Sequence, residues 1–284
     1  MLFSGSEDPS LAMPRDTPLA GAPLTSRRNP IVARYRAAAH GDLDGRMLLD
    51  GAHLVADALA AHVTLEHAVI ASDSSAAAEI QPLLAQLSAR AVDTALASSA
   101  VMAAVSPLRS PSAVVAIARR PEVDLRQMFA GASPLLLILN DVQDPGNVGA
   151  IIRVGEAAGA TGVFAAGVSA DPYGWKALRG SMGSALRLPV ARADDLARAV
   201  ADARVKGCKV VATAPRGGRS VFDVDLRGPT AVLIGGEGPG LPPAVMAAAD
   251  ERITVPMQAP VESLNAAVTA AIVAYEARRQ RTQM

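Results

Sequence analysis

A chain of 284 residues, half of them hydrophobic and 19% charged, is long enough for two ordinary cores and lacks the apolar poverty of a disordered protein. Its eight aromatic residues (four Phe, three Tyr, one Trp) argue against a platform that stacks several unpaired bases. Lys and Arg (27) balance Asp and Glu (27), so a nucleic-acid partner would have to be met by local clusters such as Arg27 and Arg28, Arg119 and Arg120, or Arg278, Arg279 and Arg281 rather than by a global field; solvated surface charge is the alternative for each. A single cysteine, Cys208, cannot form an internal disulfide and fits a cytoplasmic redox setting. The histidines, His40, His53, His62 and His67, lack zinc-site spacing, so no metal is expected.

In chain order, residues 1–28 are rich in Pro, Ser, Gly and Ala without a period and read as a flexible tail with no signal-peptide pattern. Order is expected from Asn29, with a helix from Pro30 to about Ala39, a strand over Arg46–Asp50 and a helix from His53 to about Ala61. A strand over His67–Ala71, helices over Ser75–Ala89 and Ser98–Val105, and a buried strand over Ser112–Arg119 follow. This alternation predicts a small α/β domain over 29–120. Residues 121–133, with Pro121 and Gly131, are read as a linker. A second alternation fills 134–284. Its strands are Leu135–Leu139, Gly162–Ala166, Leu188–Val190, Lys209–Ala214, Ala231–Ile234 and Ile253–Val255; its helices are Ala150–Ala158, Trp175–Met182, Ala193–Lys206 and Leu264–Arg279. Such a pattern implies a parallel sheet covered by helices on both faces. The apolar run Ala266–Tyr275 is too short to span a bilayer, and no membrane association is expected.

Three strand-to-helix junctions carry the chemistry, because ligands of a parallel sheet gather at the carboxyl ends of its strands. The first, Asn140-Asp-Val-Gln-Asp-Pro-Gly-Asn-Val-Gly-Ala-Ile-Ile-Arg153, offers Gly146 and Gly149 for close backbone approach, the Asn147 amide and the Arg153 fork. It has neither GxGxxG nor P-loop spacing, so dinucleotide and triphosphate binding are not supported. A tight structural turn remains its alternative. The second, Leu233-Ile-Gly-Gly-Glu-Gly-Pro-Gly-Leu-Pro242, spends four glycines and a proline after a strand and sets Glu237 among them. The third runs from Ile253 to Val268; Ser263 stands where a helix N-cap is expected, and Asn265, a poor helix former, requires a side-chain hydrogen bond.

Together, in this order and with the intermediate Lys176-Ala-Leu-Arg-Gly-Ser-Met-Gly183, these junctions resemble the SpoU (TrmH-like) methyltransferases of the SPOUT superfamily over about residues 133–279. The resemblance implies a C-terminal trefoil knot, against the general rule on threading. It also implies S-adenosylmethionine as cofactor, an RNA substrate and a homodimer through the catalytic domain, with methyl transfer to a ribose 2′-hydroxyl. By carry-over, Arg153, Asn147, Glu237, Ser263 and Asn265 match the catalytic and substrate-facing positions. Gly235, Gly236, Gly238, Gly240, Leu241, Ile253, Met257 and Leu264 match the cofactor cradle. Arg153 is the expected centre of the reaction. Deprotonating a guanidinium at neutral pH would cost about 7 kcal/mol for a pKa above ~12, so a protonated fork that holds phosphate and stabilises the developing alkoxide is the better role.

The N-terminal domain, through Asn29-Pro30 and Leu48-Leu-Asp-Gly-Ala-His-Leu-Val55, resembles the small substrate-binding domain that precedes many SpoU catalytic domains. That likeness favours 23S-type ribosomal RNA over transfer RNA as substrate, although residues 1–130 are slightly acidic. The rival readings are a catalytically silent SPOUT-fold RNA-binding assembly factor and an ordinary nucleotide-binding Rossmann enzyme.

Overall fold

The computed structural model describes residues 22–193, 195–238 and 240–282, which fall into two units dividing between Arg120 and Pro121. The first unit runs α1 (Pro30–His40), β1 (Arg46–Asp50), α2 (Ala52–Ala60), β2 (Leu65–Ala71), α3 (Gln81–Ala89), β3 (Asp93–Ala97), α4 (Ser99–Val105) and β4 (Val114–Arg119). Its strands form one mixed sheet, β1-β4-β2-β3, in which β4 is antiparallel to both neighbours while β2 and β3 are parallel.

Asn29 caps α1 by accepting from the Ile31 amide at 3.0 Å, with Pro30 at the first helical position, where its missing N–H costs nothing. Tyr35 is fully buried from this helix, and its hydroxyl meets His67 Nδ1 at 2.8 Å. Burial, and then the charge of Arg34, pull the His67 imidazole down to about 4.

Several expectations need correction here. The helix read from Ser75 begins only at Gln81, because Pro82 is tolerated in a first turn and not deeper, and Ser72, Ser74 and Ser75 turn their hydroxyls onto local groups instead. Strand β3 was absent from the expected elements: Asp-Thr-Ala-Leu-Ala has little β-propensity and is held by its pairing with β2. The tail expected over 1–28 lies outside the described residues as far as 21, but Leu24 pairs with Ala97, exchanging backbone bonds with Leu96 and Ser98.

The second unit contains α5 (Leu125–Met128), β5 (Leu135–Asn140), α6 (Pro145–Ala158), β6 (Gly162–Ala166), α7 (Trp175–Ser181), β7 (Val190–Ala193), α8 (Leu196–Val205), β8 (Lys209–Thr213), β9 (Arg219–Ser220), β10 (Thr230–Gly235), α9 (Pro243–Ala248), β11 (Glu251–Thr254) and α10 (Ala266–Thr282). Its seven strands, in the order β7-β6-β5-β10-β8-β11-β9, are all parallel. The run Leu135–Asn140 is buried along its whole length, as a central parallel strand requires.

Part of the segment read as a linker belongs to this core: Met128 of α5 is fully buried and packs over Gly162, where a Cβ would lie 2.6 Å from its methyl carbon. Helix α9 and the two-residue β9 were not foreseen. Among the described residues no helix is long and apolar enough to cross a membrane.

Candidate active site

The three junctions meet at the carboxyl edge of this sheet. Helix α6 starts at Pro145, five residues before the expected Ala150, because Asp144 caps it by accepting from the Asn147 amide at 2.8 Å. Asn147 therefore stands in the first helical turn, and its side chain works in both directions. Its Nδ2 donates to Glu237 Oε1 at 2.7 Å, in the loop after β10, and its Oδ1 accepts from Asn265 Nδ2 at 3.1 Å. Asn265 in turn caps α10, its Oδ1 accepting from Ala267 at 2.8 Å and Val268 at 3.3 Å. One polar chain, Glu237 to Asn147 to Asn265, thus joins all three junctions. The cap belongs to Asn265 and not, as the sequence suggested, to Ser263, so α10 begins two residues later than expected.

The glycines divide between two jobs. Gly149, read as a point of close approach to a ligand, packs against α7 instead: a Cβ there would overlap the Ala177 carbonyl and lie 2.9 Å from Ser181 N. Gly236 lets the β10 loop rest on the β5 loop; its amide donates to Asn140 O at 2.7 Å, and a Cβ would come within 3.0 Å of the Asp141 carbonyl group.

Beside the polar chain opens a cavity of about 470 Å³, within the roughly 300–1,000 Å³ usual for small-ligand sites. Gly235, Gly236, Gly238, Gly240, Leu241, Ile253, Met257 and Leu264 all line it, as do Glu237, Ser263 and Asn265. Apolar side chains from three loops and exposed backbone polar groups suit an adenosine moiety, whose faces are apolar and whose edges form hydrogen bonds. Thr213, Ala214, Pro215, Ile234, Met246, Val255, Ala266, Thr269 and Val273 complete the lining and were not among the sequence candidates. Their signal was weak, since a Thr-Ala-Pro strand end and a helical Met or Val look like ordinary core. Arg153 is not part of the lining. It is exposed on α6 and has no hydrogen-bond or ion-pair partner among the described residues. No group of three or more His, Cys, Asp or Glu among the described residues has a metal-binding arrangement.

An all-parallel α/β unit with a polar chain and an apolar cavity at its carboxyl edge defines a small-ligand-binding α/β domain of the kind enzymes use. Comparison with known proteins makes this specific. The chain belongs to the SpoU rRNA methylase family, which matches residues 134–275. It is 33% identical to an uncharacterized tRNA/rRNA methyltransferase of Synechocystis, over 92% of this chain and 94% of the relative. It is 31% identical to the 23S rRNA (guanosine(2553)-2′-O)-methyltransferase RlmP of Bacillus subtilis, over 81% and 88%. The crystal structure of an AdoMet-bound rRNA methyltransferase from Sinorhizobium meliloti superimposes with a TM-score of 0.81 at 30% identity, covering 91% of this chain and 97% of that one.

Proposed function

We propose that the protein methylates a ribose 2′-hydroxyl of RNA, of 23S ribosomal type, using S-adenosylmethionine. The observation that carries this reading is the Glu237–Asn147–Asn265 chain beside a cavity lined by both the Gly235–Leu241 and Met257–Asn265 segments. The methyl donors and rRNA substrates in the names of the relatives point the same way.

Bound in the cavity, S-adenosylmethionine supplies a methyl group activated by its sulfonium. The chain's own residues do the rest. Leu241, Ile253, Met257 and Leu264 exclude water from the cofactor's apolar faces, while the loop backbone fixes its orientation. Asn147, held from both sides, fixes Glu237 and Asn265 at the mouth, so that the reacting oxygen is aligned by groups that need not reorganise. Ser263 is exposed at the same rim and free of the capping duty, which leaves its hydroxyl for substrate.

Arg153 holds the phosphate next to the reacting ribose and stabilises the developing alkoxide, with the proton passing to phosphate or water. Since it stands outside the lining of its own cavity, we assign it to the cavity of a second copy in a homodimer. Val268, Ile272 and Tyr275 support that assembly: they lie on one face of α10, with Val268 47% and Tyr275 51% exposed.

Residues 29–120 act as the substrate-binding domain and 134–284 as the catalytic one. The trefoil knot is supported by the path of the chain, which leaves β11 beyond β8 and returns to pack α10 on α6.

The test is a tritiated methyl-transfer assay on an unmodified 23S rRNA transcript, with calorimetry for S-adenosylmethionine. Uptake of the cofactor and methylation at a 2′-oxygen are expected; a protein that binds neither cofactor nor RNA refutes the reading.

A further inference from the structure

The first unit gathers three arginines around one largely buried carboxylate. Arg46 and Arg119 are register partners on the antiparallel strands β1 and β4. Like charges placed directly opposite one another on a sheet are unfavourable. The neighbouring strand β2 departs from regular register between Leu65 and His67, and the residue at that irregularity is Glu66. Bulges re-aim side chains, and here the carboxylate meets both arginines: Oε1 lies 3.3 Å from Arg46 Nε and accepts from Arg119 Nε at 3.1 Å. Oε2 accepts from Arg34 of α1 at 2.7 Å.

Three guanidiniums thus share one carboxylate, an excess of two positive charges. The Glu66 side chain is only 13% exposed, whereas Arg119 is 64% and Arg46 35% exposed. Among the described residues Arg119 is engaged through Nε alone, so its two terminal amino groups remain available to solvent. The carboxylate holds an exposed Arg119 and a partly exposed Arg46, whose Nη1 also donates to the Asp44 carbonyl at 3.0 Å, and so fixes their geometry without neutralising them; planar forks of this kind suit phosphate oxygens.

We propose that Arg46 and Arg119, braced by Glu66, form a docking site for the phosphodiester backbone of the RNA substrate. This rests on the proposed RNA methyltransfer and extends it by giving the nearly neutral N-terminal unit a defined contact. The site positions RNA without reading its sequence.

The experiment measures binding of the full-length protein to a labelled, unmodified 23S rRNA transcript by fluorescence anisotropy at 50–200 mM salt. Replacing both arginines by glutamine (R46Q/R119Q) is expected to lower the magnitude of the log K against log salt slope by about 1 to 2, because each phosphate contact contributes about 0.7 to 0.9. Affinity at 100 mM salt should fall about tenfold or more, with S-adenosylmethionine binding unchanged. The R46K/R119K variant should keep the slope, and Glu66→Gln should not weaken binding.

If the arginines serve only to satisfy Glu66, the glutamine variants lose thermal stability while slope and affinity stay at the wild-type values, and the proposal is overturned. Should R46Q/R119Q not fold, Arg119→Gln alone is read, with an expected slope change of about 0.7 to 0.9. A wild-type protein that binds and methylates RNA beside a variant with unaltered slope sinks this site only; a wild type indifferent to RNA and cofactor sinks both readings.

Discussion

Replacing Gly236 by alanine tests the cavity most directly. Its new Cβ would lie within 3.0 Å of the Asp141 carbonyl oxygen and carbon and 3.0 Å from Val142 N. All three are backbone atoms at the end of a buried strand, so relief requires the β10 loop and the β5 loop to separate by on the order of 1 Å. Overpacking of this kind costs about 1–3 kcal/mol. For a unit of the size of Pro121–Met284 each kcal/mol lowers Tm by about 2–4 °C, so a loss of roughly 2–12 °C is expected by calorimetry.

Because Gly236 lines the cavity, the same displacement should weaken S-adenosylmethionine binding at least about tenfold, which corresponds to about 1.4 kcal/mol. Gly238→Ala is the control. Its φ is +95° but no atom lies within 4 Å of a new Cβ, so it meets only the backbone penalty of about 1–2 kcal/mol, without driving two loops apart. A Gly236→Ala protein that melts within 1 °C of wild type and titrates S-adenosylmethionine normally would refute the packing argument.

Arg153→Ala should leave Tm unchanged, since the residue is exposed and unpaired among the described residues, yet reduce methyl transfer about a hundredfold or more; near-full turnover by Arg153→Lys would contradict the need for a planar fork. Asn265→Ala should cost about 1 kcal/mol in thermal unfolding through loss of the α10 cap, whereas Ser263→Ala should change stability by less than about 0.5 kcal/mol; equal losses would restore Ser263 as the cap. His67, held near 4 in the fold against 6.5 in a free chain, is neutral when folded at pH 5 while the unfolded chain takes up the proton. Stability is therefore fully present above about pH 7, falls as pH is lowered through 6.5 towards 4, and levels off below, a loss on the order of 3 kcal/mol. Denaturant titrations of wild type and His67→Gln between pH 7 and 4 should show the flatter profile in the variant.

The sequence by itself determined the α/β alternation, most strands of the second unit and the three loops where chemistry gathers. Those are local signals: an apolar run of strand length such as Leu135–Leu139, or glycines and prolines crowded after Ile234, need no partner to be read. Through the resemblance to the SpoU family it also marked every glycine that the cavity takes from the second junction, with Leu241, Ile253, Met257 and Leu264, as cofactor candidates, while the lining residues Ile234, Val255 and Ala266 were not among them.

Only the tertiary structure decided what depends on residues far apart in the chain. Asn147 and Asn265 are 118 positions apart, and their bond moved the helix cap away from Ser263. Packing of Gly149 on α7, burial of Met128 from a supposed linker, and the strand made of Asp93–Ala97 are likewise supplied by a neighbour rather than by propensity. The convergence of Arg34, Arg46 and Arg119 on Glu66 is of the same kind: strand register and a local irregularity bring together charges that the sequence scatters over 86 positions, from 34 to 119. Local composition fixes which conformations a segment prefers, while the partner that completes a hydrogen bond or a charge balance is chosen by the fold.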